Sequence, residues 1–269
     1  MKVYFIGAGP GDPELITVKA QKRINACPVI LYAGSLVPRA IMADVEDSAE
    51  CIIDTASLSL DEIIGHIQQA ASKGQDVARV HSGDPSVYGA IGEQIRRLKQ
   101  LNIDFEIIPG VTATSASAAW LGKELTLSGV SQTVIMTRYE GKTPFPERER
   151  LPALAASGAT LAIHLGITRI HKIVDELIPH YGEDCPVAVC YRTSWEDQDK
   201  VMGTLKDIVE KVRQKKFTRT SLILVGHVLA SDDFADSYLY DESQAHVYRP
   251  KNKRKVARDV NFSSAHPKI

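Results

Sequence analysis

Short apolar runs typical of strands alternate with helical patterns along almost the whole chain. Residues 3–6 predict a strand, residues 14–26 a helix and residues 29–32 the next strand, and the same order recurs downstream. Strands separated by helices pair in parallel, because each helix carries the chain back across the sheet. The sequence therefore predicts an α/β fold with mostly parallel sheets.

One helix is predicted both by a capping signal at its N-terminus and by an apolar stripe along one face. Ser59 stands three residues before Glu62, the spacing of a capping box, and apolar residues follow at helical intervals up to Gly74. The remaining predicted elements are strands at 77–80, 105–108, 133–137, 160–165, 186–191 and 221–225, and helices at 88–101, 112–120, 147–157, 170–181 and 204–214.

The periodic pattern is interrupted at residues 122–131, which are rich in glycine and serine. We therefore predict an N-terminal domain at 1–121 with glycine-rich loops and a C-terminal domain at 122–248. Residues 249–269 form a basic tail with seven Lys/Arg and one acid, and the preceding 248 residues carry a net charge of −7. Such a tail is either solvated and partly disordered or bound to nucleic acid, and the acidic body favours the first.

Composition narrows the class of protein. Of the 269 residues, 44% are hydrophobic and 24% are charged, which is typical of globular proteins. No apolar run reaches the roughly 20 residues that a membrane span needs, so we expect a cytoplasmic protein without membrane or nucleic-acid partners. Cys27, Cys51, Cys185 and Cys190 match neither a metal-binding nor a disulfide spacing, which predicts inert thiols.

The first strand runs into a glycine loop, GAGPGDP at residues 7–13. The dinucleotide-binding pattern requires a third glycine where this chain has Asp12, and an acid after the second strand where it has Ala33. Glycines at alternate positions nevertheless permit a sharp turn and close approach of a ligand to the backbone. A ligand-binding turn and a purely structural turn both remain open.

Two further loops follow predicted strands, HSGDPSVYG at 81–89 and PGVTAT at 109–114. Ligands of open α/β sheets bind beyond the carboxyl ends of the strands, so the three loops predict one rim of a cleft. Asp84 would accept a hydrogen bond from a ligand or cap the next helix, with equal weight. No HExxH, GxSxG or GxxxxGK[ST] pattern occurs, which argues against metal and acyl-transfer chemistry.

Taken together, GAGPGDPELIT, HSGDPSVYG and PGVTATSASAA resemble the signature of the tetrapyrrole (corrin/porphyrin) methylases, and LAIHLGI, PVAVCYRTS and SLILVG follow at the intervals of that family. The resemblance covers residues 1 to about 248. It implies two αβα domains with mixed, mostly parallel sheets and an active-site cleft between them. It also implies a homodimer that uses S-adenosylmethionine as methyl donor and releases S-adenosylhomocysteine.

Within the family, ILYAGSLVP at residues 30–38 resembles the branch that methylates precorrin-4 at C-11 to give precorrin-5 in cobalamin biosynthesis, with or without cobalt. Relatives that methylate uroporphyrinogen carry an acid where this chain has Ala33, so their acid-base assignment does not transfer. The alternatives are another family acceptor (uroporphyrinogen III, a different precorrin, RNA or the diphthamide pathway) or a nucleotide-binding regulator without catalysis.

The resemblance also carries over individual positions. The residues implied to contact the donor are Pro10, Ser82, Gly83, Asp84, Val87, Thr112, Ala113, Leu165, Thr193 and Thr220. Asp12 is the candidate catalytic residue, as proton acceptor, with a helix N-cap as the alternative. Arg39, Arg138 and Arg192 are the candidates for binding the carboxylate arms of the substrate, because guanidinium groups pair with carboxylates in a forked geometry. No metal ligand is expected.

Overall fold

A computed structural model describes residues 1–238 except 142, 144 and 233, together with residues 245 and 247. The strands within this part form two sheets of five, one on each side of the predicted junction. The basic tail predicted at 249–269 lies outside the described residues.

The first sheet is wholly parallel and has the order β3-β2-β4-β1-β5. Its strands are β1 (Lys2–Gly7), β2 (Val29–Tyr32), β3 (Cys51–Asp54), β4 (Val77–His81) and β5 (Asp104–Ile108). Helices α1 (Val18–Ala26), α2 (Leu60–Ser72) and α3 (Gly92–Gln100) connect them. Because the sheet is covered on both faces, its central strands β1 and β4 are buried almost throughout.

The second sheet has the order β6-β7-β10-β8-β9. Its strands are β6 (Val134–Arg138), β7 (Thr160–His164), β8 (Pro186–Tyr191), β9 (Asp199–Thr204) and β10 (Ser221–Val225), and its helices are α5 (Leu151–Ala155), α6 (Ile170–Tyr181) and α7 (Ile208–Lys215). Only β6 and β7 pair in parallel, because β8 and β9 form a hairpin and β10 enters antiparallel between β7 and β8. The prediction of mixed, mostly parallel sheets is confirmed, since five of the eight pairings among the described strands are parallel.

Helix α4 (Ala113–Leu121) lies between the two sheets in the chain. Thr112 caps its first turn, and Gly122 ends it with a left-handed φ of 64°. Its residues face the second half: the Ser117 and Thr193 hydroxyls are 2.9 Å apart. Leu121 packs on the apolar cluster of the second sheet. The junction predicted at residue 122 thus falls on the C-cap of α4, and the domain boundaries stay a prediction.

Several element bounds differ from the sequence expectation. The helix predicted from residue 88 begins at Gly92, because Tyr88 and Ala90 have left-handed φ values of 56° and 50°. The helix predicted from residue 14 begins at Val18, after Thr17 caps it and a separate 3-10 turn covers Pro13–Leu15.

Two of the helices predicted in the second half also begin later than expected. The helix expected over 147–157 is a 3-10 turn at Glu147–Glu149 followed by α5, and the one expected from residue 204 begins at Ile208. Strands β3 and β9 were not predicted, and both lie at sheet edges with little burial. The capping box of Ser59 and Glu62 is confirmed. Among the described residues, no helix is long and apolar enough to cross a membrane.

Candidate functional site between the two sheets

The three glycine loops of the first sheet pack directly on one another. Gly9 and Gly83 exchange backbone hydrogen bonds of 3.3 and 2.7 Å between their amide nitrogens and carbonyl oxygens. A Cβ atom on Gly7 would lie 2.6 Å from both the Gly83 carbonyl oxygen and the Gly110 amide nitrogen. The backbones approach so closely that only glycine fits at Gly7 and Gly110.

Asp84 joins the second loop to the third. Its Oδ1 atom accepts from the Ser86 amide at 2.8 Å, and its Oδ2 atom accepts from the Gly110 amide at 3.0 Å. Partial burial acts to raise the pKa of Asp84, but the hydrogen bonds from Ser86 and Gly110 lower that pKa below its ordinary value. Helix α3 has Ile91 at its N-cap, so the alternative that Asp84 caps the next helix is wrong.

The opposite wall is built from turns that follow β7 and β8 and from the turn that precedes the antiparallel strand β10. Four non-glycine residues there adopt left-handed backbone: Leu165 (φ 54°), Arg192 (φ 44°), Ser194 (φ 70°) and Thr220 (φ 50°). Such conformations are uncommon outside glycine, and Thr220 is β-branched, which makes its conformation a true outlier. Leu165 is also 71% exposed, although it is apolar. Strain of this kind concentrates at binding and catalytic sites.

Direct contacts hold the two walls together. The Trp195 indole Nε1 donates to the Pro10 carbonyl oxygen at 2.8 Å, and the Asp12 amide donates to the Ser194 hydroxyl at 2.9 Å. The Thr114 hydroxyl lies 3.1 Å from His164 Nε2. These contacts join the first glycine loop and α4 to the ends of β7 and β8.

A cavity between the walls, here called the central cavity, collects most of the predicted donor positions: Pro10, Ser82, Gly83, Ala113, Leu165, Thr193 and Thr220. His164 also lines it, and burial lowers the pKa of this histidine to about 4, which keeps the ring neutral. The lining is largely apolar, with hydroxyl groups and backbone between the apolar side chains. Such a surface suits an adenosyl group better than a phosphate-rich ligand.

Three of the predicted donor positions do not line the central cavity. Asp84 fastens two loops, as described above, and Val87 donates its amide to the Asp84 carbonyl oxygen at 3.1 Å. Thr112 accepts the Ser115 amide at 3.2 Å and so caps α4. All three shape the loops around the cavity, and a direct contact with the donor stays a prediction for each.

Asp12 caps the 3-10 turn Pro13–Leu15, accepting the Glu14 amide at 2.8 Å. The N-cap alternative is therefore confirmed, for a shorter turn than expected. Asp12 lines a groove next to the central cavity, together with Thr193 and Ser194. Its role as proton acceptor stays a prediction.

The three predicted arginines occupy different places. Arg192 lines the central cavity, donates to Asp197 at 2.7 Å and lies 4.0 Å above the Trp195 ring. Arg138 lies 4.9 Å above the Phe145 ring in a separate cavity. Arg39 forms an exposed ion pair with Glu46, which raises the pKa of its guanidinium, and is not among the residues lining the central cavity.

Sequence reasoning missed a second group of polar residues beside the cleft. Arg79 and His81, each only 5% exposed, lie on one face of β4 and line a cavity with Ser82, Tyr88 and Gln94. We call it the Arg79 cavity. Burial lowers the pKa of Arg79 to about 10, and burial together with the nearby Arg79 charge lowers the pKa of His81 to about 3. An arginine inside a strand that reads VARVH was the available signal, because buried strands of parallel sheets are almost wholly apolar.

The four cysteines are unpaired, and burial raises the pKa of the Cys190 thiol to about 11, so it is protonated at neutral pH. Within the described part of the chain, no three His, Cys, Asp or Glu side chains are grouped so that they could hold a metal ion.

Comparison with known proteins gives independent evidence about the family of this chain. The family model of the Tetrapyrrole (Corrin/Porphyrin) Methylases matches residues 2–209. A precorrin-4 C(11)-methyltransferase of Pseudomonas aeruginosa is 61% identical over 250 residues, which are 93% of this chain and 99% of that protein.

Two solved structures have the same fold. A cobalt precorrin-4 methyltransferase superimposes with a TM-score of 0.82 and 43% identity, covering 86% of this chain and 96% of its own. A uroporphyrin-III C-methyltransferase of Thermus thermophilus, complexed with S-adenosylhomocysteine, superimposes with a TM-score of 0.70 and 28% identity, covering 85% and 99% of the two chains.

Proposed function

This chain belongs to the tetrapyrrole (corrin/porphyrin) methylases, and we propose that it transfers the methyl group of S-adenosylmethionine to C-11 of precorrin-4. The products are precorrin-5 and S-adenosylhomocysteine, and the reaction is a step of cobalamin biosynthesis. Support comes from the relative that is 61% identical and carries this activity in its name. The cobalt-free and the cobalt-containing acceptor both fit the proposal.

The observation that carries the proposal is the convergence of turns from both sheets on the central cavity. Pro10, Ser82 and Ala113 reach it from the first half, and Leu165, Thr193 and Thr220 reach it from the second. A ligand held between these two walls is fixed from opposite sides. We propose that the methyl donor binds here, with its adenosyl group against the apolar lining.

The sulfonium donor supplies an already activated methyl group to a nucleophilic ring carbon. In the transfer, the new C–C bond forms as the S–CH₃ bond breaks, and its electron pair leaves on sulfur. The chain's own residues have to position both molecules and exclude water. Alignment of this kind supplies roughly 7–11 kcal/mol of a barrier when the geometry is good, so a strong base in the cavity is not required.

We also propose that a proton released from the macrocycle is accepted by Asp12. Asp12 belongs to the first glycine loop and lines the groove that also contains Thr193, next to the central cavity. Asp12→Asn keeps the side-chain oxygen that accepts the Glu14 amide but removes the charge. We expect a lower kcat with an unchanged affinity for S-adenosylhomocysteine, and an unchanged kcat would remove Asp12 from the mechanism.

The acceptor is assigned through the loop at residues 33–38. Ala33 and Leu36 line the Arg79 cavity, so the stretch that resembles the C-11 branch lies beside the cleft. Relatives that act on uroporphyrinogen carry an acid at the position of Ala33. We propose that this difference contributes to the choice of precorrin-4.

The protein is further proposed to act as a cytoplasmic homodimer. Its four unpaired cysteines are typical of proteins from reducing compartments, and the family resemblance implies the dimer. Light scattering of the purified protein tests the assembly, since a dimer has twice the 29.5 kDa mass of the chain.

The decisive experiment incubates the purified protein with methyl-labelled S-adenosylmethionine and precorrin-4 and analyses the product by mass spectrometry and NMR. We expect a mass gain of one methyl group, located at C-11. Label at another ring position would replace the proposed regiochemistry. Donor binding without transfer to precorrin-4 would point to a different acceptor or to a regulator, and transfer to RNA would identify the acceptor as a macromolecule.

A further inference from the structure

We propose that the Arg79 cavity is a carboxylate-binding subsite, in which Arg79 and His81 hold one acidic arm of the acceptor macrocycle. This inference rests on the proposed function, because it assigns the cavity to the same acceptor. None of the three arginines predicted from the sequence lies in this cavity. The assignment comes from two buried polar groups whose bonding is incomplete.

Arg79 is a buried cation whose hydrogen-bond acceptors among the described residues are neutral. Its Nε atom donates to Gln94 Oε1 at 3.2 Å, and its Nη1 atom donates to the Leu31 carbonyl oxygen at 3.3 Å. No Asp or Glu of the described residues forms an ion pair with it. Its pKa of about 10 keeps the guanidinium charged at neutral pH. Because a buried charge without a counter-charge is unfavourable, an incoming carboxylate would be stabilised there.

His81 supplies the second incomplete group. It is 5% exposed and lies two residues after Arg79, so both side chains are on the same face of β4. Its Nε2 atom is buried without a hydrogen-bond partner among the described residues. Unpaired buried polar atoms are rare in folded proteins, and each calls for an explanation such as an ordered water, an ion or a functional role. His81 is neutral and donates to the Gly89 backbone, so it would bind the carboxylate only in the tautomer that carries its proton on Nε2, whereas Arg79 would pair with the carboxylate directly.

The position of the cavity suits an acceptor that must also reach the methyl donor. Ser82 lines both the Arg79 cavity and the central cavity, so the two adjoin. Tyr88 lines the Arg79 cavity, and its ring is centred 5.3 Å from the ring of His164, which lines the central cavity. A macrocycle lying over Ser82 and Tyr88 would place a ring carbon toward the central cavity while one arm enters the Arg79 cavity.

The opening of the cavity is also suited to a ligand that arrives from solvent. Leu36 is 40% exposed and Tyr88 is 44% exposed, which gives the macrocycle apolar and aromatic surface to contact. Glu93 lies at the same opening but is exposed and is not ion-paired with Arg79. The buried positive charge behind an apolar rim selects an amphipathic anion over a small hydrated one.

The test compares wild type with Arg79→Met and His81→Phe. Arg96→Met is the matched control, because Arg96 is an exposed arginine on helix α3, which also carries Gln94. Binding of uroporphyrin III, a stable tetrapyrrole with carboxylate arms, is measured by quenching of the fluorescence of Trp120 and Trp195. Binding of S-adenosylhomocysteine is measured by calorimetry, and the KM for precorrin-4 is measured by methyl incorporation.

We expect Arg79→Met to weaken uroporphyrin III binding and to raise the KM for precorrin-4 by roughly tenfold or more, as for loss of a charge-assisted hydrogen bond. His81→Phe should have the same direction with a smaller effect. The affinity for S-adenosylhomocysteine should change less than about twofold in both variants, and Arg96→Met should behave as wild type. Should Arg79→Met fail to fold, as judged by circular dichroism, His81→Phe and His81→Gln carry the comparison.

Two results separate this inference from the proposed function. If wild type methylates precorrin-4 and the cavity variants keep its KM and the uroporphyrin III affinity, the subsite is overturned while the proposed activity stands. If wild type fails to methylate precorrin-4 but binds uroporphyrin III in a manner that depends on Arg79, the subsite is supported and the acceptor has to be reassigned.

Discussion

The two walls of the central cavity bend the backbone by different chemical means. On the N-terminal wall, Gly7, Gly83 and Gly110 let three loops touch backbone to backbone. On the C-terminal wall, Leu165 and Thr220 hold left-handed backbone although they carry side chains. Glycine lets the loops of the first wall pack closely without backbone strain. The second wall has strained backbone, and its residues carry side chains that line the cavity.

This difference separates two tasks. The N-terminal wall depends on the absence of side chains, so substitutions there should act mainly on stability. The C-terminal wall depends on particular side chains in strained conformations, so substitutions there should change binding more than stability. Four variants test this division.

The largest effect is expected for Gly110→Ala. The added Cβ would overlap the Gly83 carbonyl oxygen and lie 2.9 Å from the Gly7 Cα, and backbone atoms cannot move aside as side chains do. We expect a loss of about 3 kcal/mol in the free energy of unfolding, as for severe overpacking, measured by urea denaturation. Gly65→Ala is the control: a Cβ there meets nothing within 4 Å, and the helix α2 should gain about 1 kcal/mol. Equal stability of the two variants would contradict the close-packing of the loops.

Asp84→Ala comes next, because it removes the acceptor of the Gly110 and Ser86 amides. We expect about 2 kcal/mol of lost stability at pH 7, since two hydrogen bonds to a charged carboxylate are lost, one of them from the partly buried Gly110 amide. The pKa of Asp84 is lowered in the folded state, so its contribution is present above the ordinary aspartate pKa and disappears as the pH falls through the lowered value. Urea denaturation at pH 7 and in acid should therefore show a difference between wild type and variant that shrinks with acidity. A difference independent of pH would argue against the charged form.

Trp195→Phe tests the contact between the walls. It removes the indole hydrogen bond to the Pro10 carbonyl oxygen and keeps an aromatic ring beneath Arg192. We expect a loss of about 1 kcal/mol, the usual value of one hydrogen bond, seen mainly as weaker binding of S-adenosylhomocysteine in calorimetry. Trp120→Phe keeps a ring beneath Lys200 and serves as the matched control. An unchanged affinity in Trp195→Phe would mean that the contact does not shape the cavity.

The smallest effect on stability is expected for Thr220→Gly. Release of the left-handed strain is offset by the greater freedom of glycine in the unfolded chain, which leaves a net change of about 0.5 kcal/mol or less. Donor affinity should nevertheless fall, because the side chain lining the central cavity is lost. Lys216→Gly releases similar strain outside the cavity (φ 58°) and should leave donor affinity unchanged. Equal donor affinity of the two variants would deny Thr220 a role in binding.

The difference between the two walls also explains which parts of the site the sequence predicts. Alternate glycines in GAGPGDP and the Pro109-Gly110 pair predict sharp turns, because few residues other than glycine tolerate the backbone conformations of such turns. The left-handed backbone at Leu165 and Arg192 has no such local signal, since it is imposed by the packing of the completed fold. Family resemblance nevertheless predicts Leu165 and Arg192 as site residues, because it depends on the residue at each position and not on the backbone conformation.

The missed elements follow from similar causes. Strands β3 and β9 lie at sheet edges and are only partly buried, so they lack the apolar pattern that identifies β1 or β4. The start of α3 depends on the left-handed turn at Tyr88 and Ala90, which residue pattern alone does not reveal. In the site, Arg79 lies in the interior of β4, whereas the residue pattern predicts carboxylate-binding arginines in the loops that follow strands.

The position of helix α4 determines where the half of the chain that contains the first sheet can be separated from the half that contains the second. By its place in the chain it follows the first sheet, yet Ser117 and Leu121 contact the second, and the Trp120 carbonyl oxygen accepts from Lys200. A cut at the glycine after α4 would strip the second sheet of this cover and leave an apolar helix attached to the first. Chimeras between relatives should therefore cross over before Thr112, and the intact chain should melt in a single cooperative transition rather than half by half.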